Sequence, residues 1–167
     1  KVSDYYPDVA NMKVAIKKPD GSTDYENAKN PMTVQDLMRH TSGLTYGGRP
    51  DTASPAARLY PSGNDAANSN GTLDFMSKIT KLPLVYQPGT IFEYSLSHDV
   101  LGAVVEKVSG KSLDAYLRES IWSPLKMNDT GFHIADNKKP RLARPFKLNP
   151  LNNSPQSILP IEKNLSF

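Results

Sequence analysis

The one Ser-x-x-Lys spacing in the chain is Ser123-Pro124-Leu125-Lys126. At the start of a helix, that spacing puts a hydroxyl and an ammonium on one face, where the cation can depress the nucleophile's pKa. Here the pair falls at the end of a helical pattern, just before Met127-Asn128-Asp129-Thr130, which reads as a turn. Ser123 is therefore not expected to be a nucleophile. A Gly-x-Ser-x-Gly elbow, a phosphate-cradling glycine loop and a His-Glu-x-x-His zinc motif are all absent. The three histidines, His40, His98 and His133, lie far apart in sequence and are expected in structural or surface roles. Zero cysteines exclude a thiol nucleophile, a disulfide scaffold, an iron–sulfur cluster and a Cys-bearing zinc site. Tyr94, in Phe92-Glu93-Tyr94-Ser95, follows a Pro88-Gly89 turn. A phenol titrates near 10, so it serves as a base only where cations favour the phenolate. On its chemistry alone, Tyr94 reads as a half-buried aromatic closing a turn.

The elements that hold these residues follow from pattern. Lys13–Lys18 and Ser22–Glu26 flank Pro19-Asp20-Gly21, a hairpin signal. Pro31-Met32-Thr33 opens a helix, with Thr33 and Asp36 spaced as a capping box. Val34, Leu37 and Met38 are its expected apolar face and Gly43 its stop. His40 and Ser42 are expected to fasten the turn that ends it. Residues 45–71 are rich in Gly, Pro, Asn, Asp, Ser and Ala and form an irregular stretch. A short helix is expected over Leu73–Thr80. Val100, Leu101, Val104, Val105 and Val108 then repeat at helical steps up to Gly110, a C-cap. Ser112 caps a second helix, carrying Leu113, Tyr116, Leu117 and Ile121 and closed by Pro124, so the two make an αα-hairpin. Residues 133–167 form an irregular tail.

Composition bounds the rest. The 167 residues carry 20 Lys+Arg against 17 Asp+Glu, a net charge of +3, with mean hydropathy −0.51. The basic residues are scattered, without the basic stripe and aromatic platforms of a nucleic-acid binder, and no nucleic-acid partner is expected. No apolar run approaches the ~18–20 residues of a membrane span. Fourteen prolines are about 8% of the chain against a usual ~5%, a sign of many irregular connections.

Four stretches carry a resemblance. Thr33-Val34-Gln35-Asp36-Leu37-Met38-Arg39-His40-Thr41-Ser42-Gly43-Leu44 resembles the "TVxDLLxHTSGL" run of the class C β-lactamase-related serine hydrolases. Pro88–Gly102 resembles the family's next conserved stretch. Val108–Leu113 and Pro124–Thr130 follow in register. The resemblance implies a β-lactamase/transpeptidase-like α+β parent fold, with this chain mainly its helical domain plus a small hairpin and long loops. It also implies one partial domain over 1–167.

In that family a Ser-x-x-Lys pair, a Tyr-x-Asn-type tyrosine and a Lys-Thr-Gly or His-x-Gly strand motif act together. Tyr94 falls at the catalytic tyrosine. Leu96 stands where the family has Asn and offers no amide to a β-lactam or peptide. This departure resembles the carboxylesterase branch, in which an apolar residue suits an acyl or alcohol group of the substrate. Tyr46 matches a second active-site tyrosine of that branch and equally reads as an ordinary loop tyrosine. The implied reaction is ester hydrolysis through a seryl acyl-enzyme, with a small-molecule ester as substrate and no metal or organic cofactor. Penicillin-binding or D-aminopeptidase-like hydrolysis, and a non-catalytic binding module of the same fold, are the alternatives. The nucleophile helix is expected upstream of Lys1 and the third motif beyond Phe167, so the natural partner is the remainder of the same enzyme chain. The 167 residues alone are expected to be inactive.

Overall fold

Asp20 and Gly21 turn the chain sharply enough to pair β1 (Lys13–Lys17) with β2 (Thr23–Asn27) in a computed structural model that describes residues 1–47, 54–61 and 71–143. The strands are antiparallel, Lys13 opposite Asn27 and Lys17 opposite Thr23. Gly21 sits at φ +84°, and the Asp20 carboxylate accepts the Ser22 N–H at 2.9 Å. The other edge of β1 is extended by Leu84. Ala15 N–H donates to the Leu84 carbonyl at 2.8 Å, and Leu84 N–H donates to the Lys13 carbonyl at 2.7 Å. The chain divides into two compact units, Lys1–Tyr116 and Leu117–Phe167.

In the first unit, helix α1 (Val34–Arg39) starts as its sequence dictates. Thr33 Oγ1 accepts the Asp36 N–H at 3.1 Å, and Asp36 Oδ2 accepts the Thr33 N–H at 2.9 Å. It ends earlier than expected. His40, not Gly43, takes the left-handed conformation at φ 56° and returns its N–H to the carbonyls of Asp36 and Leu37. Histidine tolerates this region better than most residues, and the bonds its carbonyl and ring make further on hold it there. Leu37 is fully buried, whereas Met38 is 62% exposed, because a helix this short turns only one narrow stripe inward.

Helix α2 (Thr72–Ile79) buries Phe75, Met76 and Ile79, and α3 (Ser97–Ser109) packs on α1. The buried face of α3 is Val100, Ala103 and Val104. Val108, expected on that face, is exposed at the last turn. Gly110 caps α3 at φ 68°, its N–H on the Glu106 carbonyl. Ser112 Oγ accepts the Ala115 N–H at 3.2 Å and starts α4 (Leu113–Leu117). Glu106 ties three helices: its carboxylate accepts the Leu113 N–H at 2.7 Å and the Thr72 hydroxyl. Val2, Met12, Val14, Leu37, Leu44 and Leu84 join these faces in one core. Of the 45–71 stretch, a 3₁₀ turn at Pro55–Leu59 packs Ala56 and Ala57 against Ala15 and Val85; residues 48–53 and 62–70 lie outside the described residues.

In the second unit, the expected continuation of α4 to Ile121 becomes a π-helical turn, Arg118–Trp122, closed by Ser123 N–H on the Arg118 carbonyl at 2.9 Å. Trp122 meets Phe132 at 5.8 Å between ring centroids and carries the Arg118 guanidinium 5.5 Å above its ring. Arg141 and Lys138 pair with Asp129 and hold its carboxyl down to about 2. A 3₁₀ turn at Asp136–Arg141 follows; residues 144–167 of the tail lie outside the described residues. Among the described residues, no helix is long and apolar enough to cross a membrane.

Candidate active site

The turn after α1 and the segment before α3 are tied together by backbone hydrogen bonds along their length. Val85 N–H donates to the Gly43 carbonyl at 2.8 Å, Gly89 N–H to Thr41 at 2.8 Å, and Glu93 N–H to His40 at 2.9 Å. Gly43 permits this closeness. A Cβ there would stand 2.2 Å from the Tyr86 carbonyl oxygen. Thr45 adds a side-chain bond to Glu93 Oε1 at 3.0 Å. The 40–46 and 84–95 segments therefore act as one scaffold, built from residues distant in sequence.

On that scaffold stands a cluster of rings. Tyr94 is 53% exposed. Its ring centroid lies 4.7 Å from that of His40 and 5.7 Å from that of Tyr46. His40 also meets His98 at 4.2 Å and Phe92 at 5.9 Å. Tyr46 directs its hydroxyl to Asp99 Oδ2 across a long 3.5 Å contact. Asp99 borders solvent, yet the groups packed beside it desolvate its carboxyl enough to raise its pKa, opposed by its own backbone N–H, the Tyr46 hydroxyl and the two histidines. Burial, then the charge of His98, lowers the pKa of His40, and Asp99 opposes them.

Beneath the rings runs a buried chain of hydroxyls. Ser42 Oγ lies 2.7 Å from Ser97 Oγ, which lies 2.7 Å from Ser95 Oγ. Ser95 Oγ in turn is 3.4 Å from His40 Nδ1. This is not a nucleophilic Ser–His pair. Ser95 is 1% exposed, and the acceptor nitrogen of His40 takes the Ser95 backbone N–H at 3.2 Å.

The structure thus brings Tyr94 and Tyr46 together. Leu96 lies elsewhere than its expected substrate-facing role requires: at the N-cap of α3 it is fully buried in the core. Ser123 and Lys126 do not share a helix face, since Lys126 is left-handed at φ 57° in the turn after the π-helical residues. Sequence reasoning placed His40 and Ser42 at the turn but did not foresee His98, Asp99, Ser95 or Ser97 in the cluster. The i, i+2 spacing of Ser95 and Ser97 just before a helix was the available signal. Among the described residues, no group of three or more His, Asp or Glu is placed to hold a metal ion.

This arrangement belongs to a β-lactamase/transpeptidase-like fold. The beta-lactamase family model matches residues 1–158, and the chain belongs to that family, which includes the class C β-lactamase-like serine hydrolases. It is 35% identical over 115 residues to esterase EstB of Burkholderia gladioli, covering 69% of this chain and 29% of that protein. It is 31% identical over 146 residues to a putative D-alanyl-D-alanine carboxypeptidase of Escherichia coli K12, covering 86% of this chain and 32% of that one. Among solved structures it matches EstCE1, described as a hydrolase with promiscuous acyltransferase activity, with a TM-score of 0.64 and 26% identity over 93% of this chain and 37% of that one. The chain spans less than a third of each of the two curated relatives.

Proposed function

We propose that this chain supplies the proton-transfer side of a serine hydrolase that cleaves carboxylic esters, its Ser-x-x-Lys nucleophile lying in a segment outside Lys1–Phe167. The observation that carries the reading is Tyr94, exposed at its face and backed by His40 and Tyr46; the resemblance of Pro88–Gly102 to the family supports reading it as the catalytic tyrosine. In the forward step the seryl oxygen attacks the ester carbonyl while the Tyr94 phenolate takes the hydroxyl proton. Tyr94 then gives that proton to the departing alkoxide, and the acyl group stays on serine. Water repeats the sequence, Tyr94 taking its proton and returning it to the seryl oxygen as the acid leaves. The lysine of the nucleophile segment favours the phenolate, and Tyr46, leaning on Asp99, orients the phenol. The likeness to esterase EstB supports an ester substrate.

The likeness to a putative D-alanyl-D-alanine carboxypeptidase favours a second reading, hydrolysis of a peptide or β-lactam amide on the same scaffold. The test is the full-length protein with a fluorophosphonate probe, short p-nitrophenyl esters and nitrocefin. One labelled serine outside this chain, ester turnover above nitrocefin turnover, and a loss of about 10²–10⁴-fold in kcat for Tyr94→Phe are expected. Nitrocefin preference overturns the ester assignment. No labelled serine leaves a binding module of the same fold.

A further inference from the structure

His40 holds the chain on both sides of Tyr94. Its carbonyl accepts the Glu93 N–H at 2.9 Å, and its Nδ1 accepts the Ser95 N–H at 3.2 Å. Its ring lies against that of Tyr94 with planes tilted by 36°. The left-handed backbone of His40 makes this possible, since it turns the carbonyl and the ring nitrogen toward the same three residues. Behind it, Ser97 holds the Ser95 hydroxyl and is itself bonded to Ser42. We propose that His40 is a positioning residue for Tyr94, aiming the phenol through its bonds to Glu93 and Ser95 and through ring contact, and doing so only as a neutral imidazole. The proposal rests on the reading of Tyr94 as the proton-transfer group.

Neutrality follows from the hydrogen bonds. A ring nitrogen that accepts a backbone N–H carries no proton, which assigns the remaining proton to Nε2. A second proton would set N–H against N–H and release Ser95. Glu93 would stay bound, because its partner is a carbonyl. The groups around the ring are His98 and Asp99 from α3, Tyr94 and Phe92 from the segment before it, and the Ser95 hydroxyl, with Tyr46 beyond Tyr94.

The test compares His40→Gly and His40→Asn in the full-length enzyme. Both side chains are accepted at φ 56°, but only Asn sets an acceptor oxygen where Nδ1 stood. His40→Gly is expected to lose about 10²-fold in kcat with KM within about threefold, and His40→Asn to stay within about tenfold of the parent. Full turnover by His40→Gly, or a loss confined to KM, overturns the proposal. A second measurement needs neither variant nor substrate. In the unaltered protein, amide hydrogen exchange, corrected for intrinsic rates, should lose protection at Ser95 as the pH is taken below the ordinary histidine range and His40 takes up its proton, while Glu93 keeps it. Parallel behaviour of the two amides overturns the proposal even if the variants fail to fold. Full turnover by Tyr94→Phe removes the reading beneath it, whereas an inactive Tyr94→Phe beside a fully active His40→Gly removes the proposal alone.

Discussion

Ser42 and Ser97 share a hydrogen bond of 2.7 Å between hydroxyl oxygens, 55 residues apart in sequence and both fully buried. The bond pins the turn after α1 to the start of α3, directly under the rings of the site. Buried hydroxyls are tolerated there because each finds hydrogen-bond partners.

Ser97→Ala leaves Ser42 Oγ and Ser95 Oγ without the atom they share. A buried polar group deprived of its partner costs about 1–3 kcal/mol, and that loss is expected in the denaturant midpoint with an unchanged slope.

Gly43 and Gly21 offer a matched comparison, since both sit at φ +84°. Nothing lies within 4 Å of a Cβ at Gly21, so Gly21→Ala should cost only the left-handed conformation, about 1–2 kcal/mol. Gly43→Ala meets the Tyr86 carbonyl as well and should destabilise clearly more. Equal thermal shifts in the two variants would contradict the close approach.

Leu96→Ala should destabilise by about 2–5 kcal/mol, the range for truncating a buried leucine, while Leu96→Met stays close to the parent. Chemical denaturation reads the difference. A Leu96→Ala protein of parental stability with an altered KM would restore the substrate-facing role.

Acid should weaken the fold through His40. Its folded pKa lies below the ordinary histidine value, so below about 6.5 the unfolded chain binds a proton that the folded one refuses. Stability is present above that pH and falls as pH drops toward the folded value. His40→Asn carries no such proton, and its unfolding midpoint should fall less than the parent's between pH 7 and 5.

The elements with local causes were legible in the sequence. The Asp-Gly hairpin, the Thr33–Asp36 box, the Gly110 cap and the Ser112 start are all short-range chemistry, and all form. The misreadings came from tertiary packing. Gly43 looked like a helix stop because glycine favours positive φ, but its φ serves the approach to Tyr86, and His40 ends the helix instead. Met38 and Val108 have helical spacing without the burial that spacing implied. Leu96 was read by its alignment position, which says nothing about which way the first turn of α3 faces. At the site, Tyr94 and Tyr46 came from resemblance. His98, Asp99 and the serine chain come together only through pairing between the turn and the segment before α3.

Asp36 does more than begin a helix. One carboxylate oxygen takes the Thr33 N–H at the entrance of α1, and the other takes the Thr41 hydroxyl at 2.9 Å beyond its exit. A single side chain therefore bolts both ends of a six-residue helix that could not persist alone in water. Neither end can fray without disturbing the other, so the segment opens as one cooperative unit. The footing of the turn that carries His40 thus begins at the threonine that opens the helix.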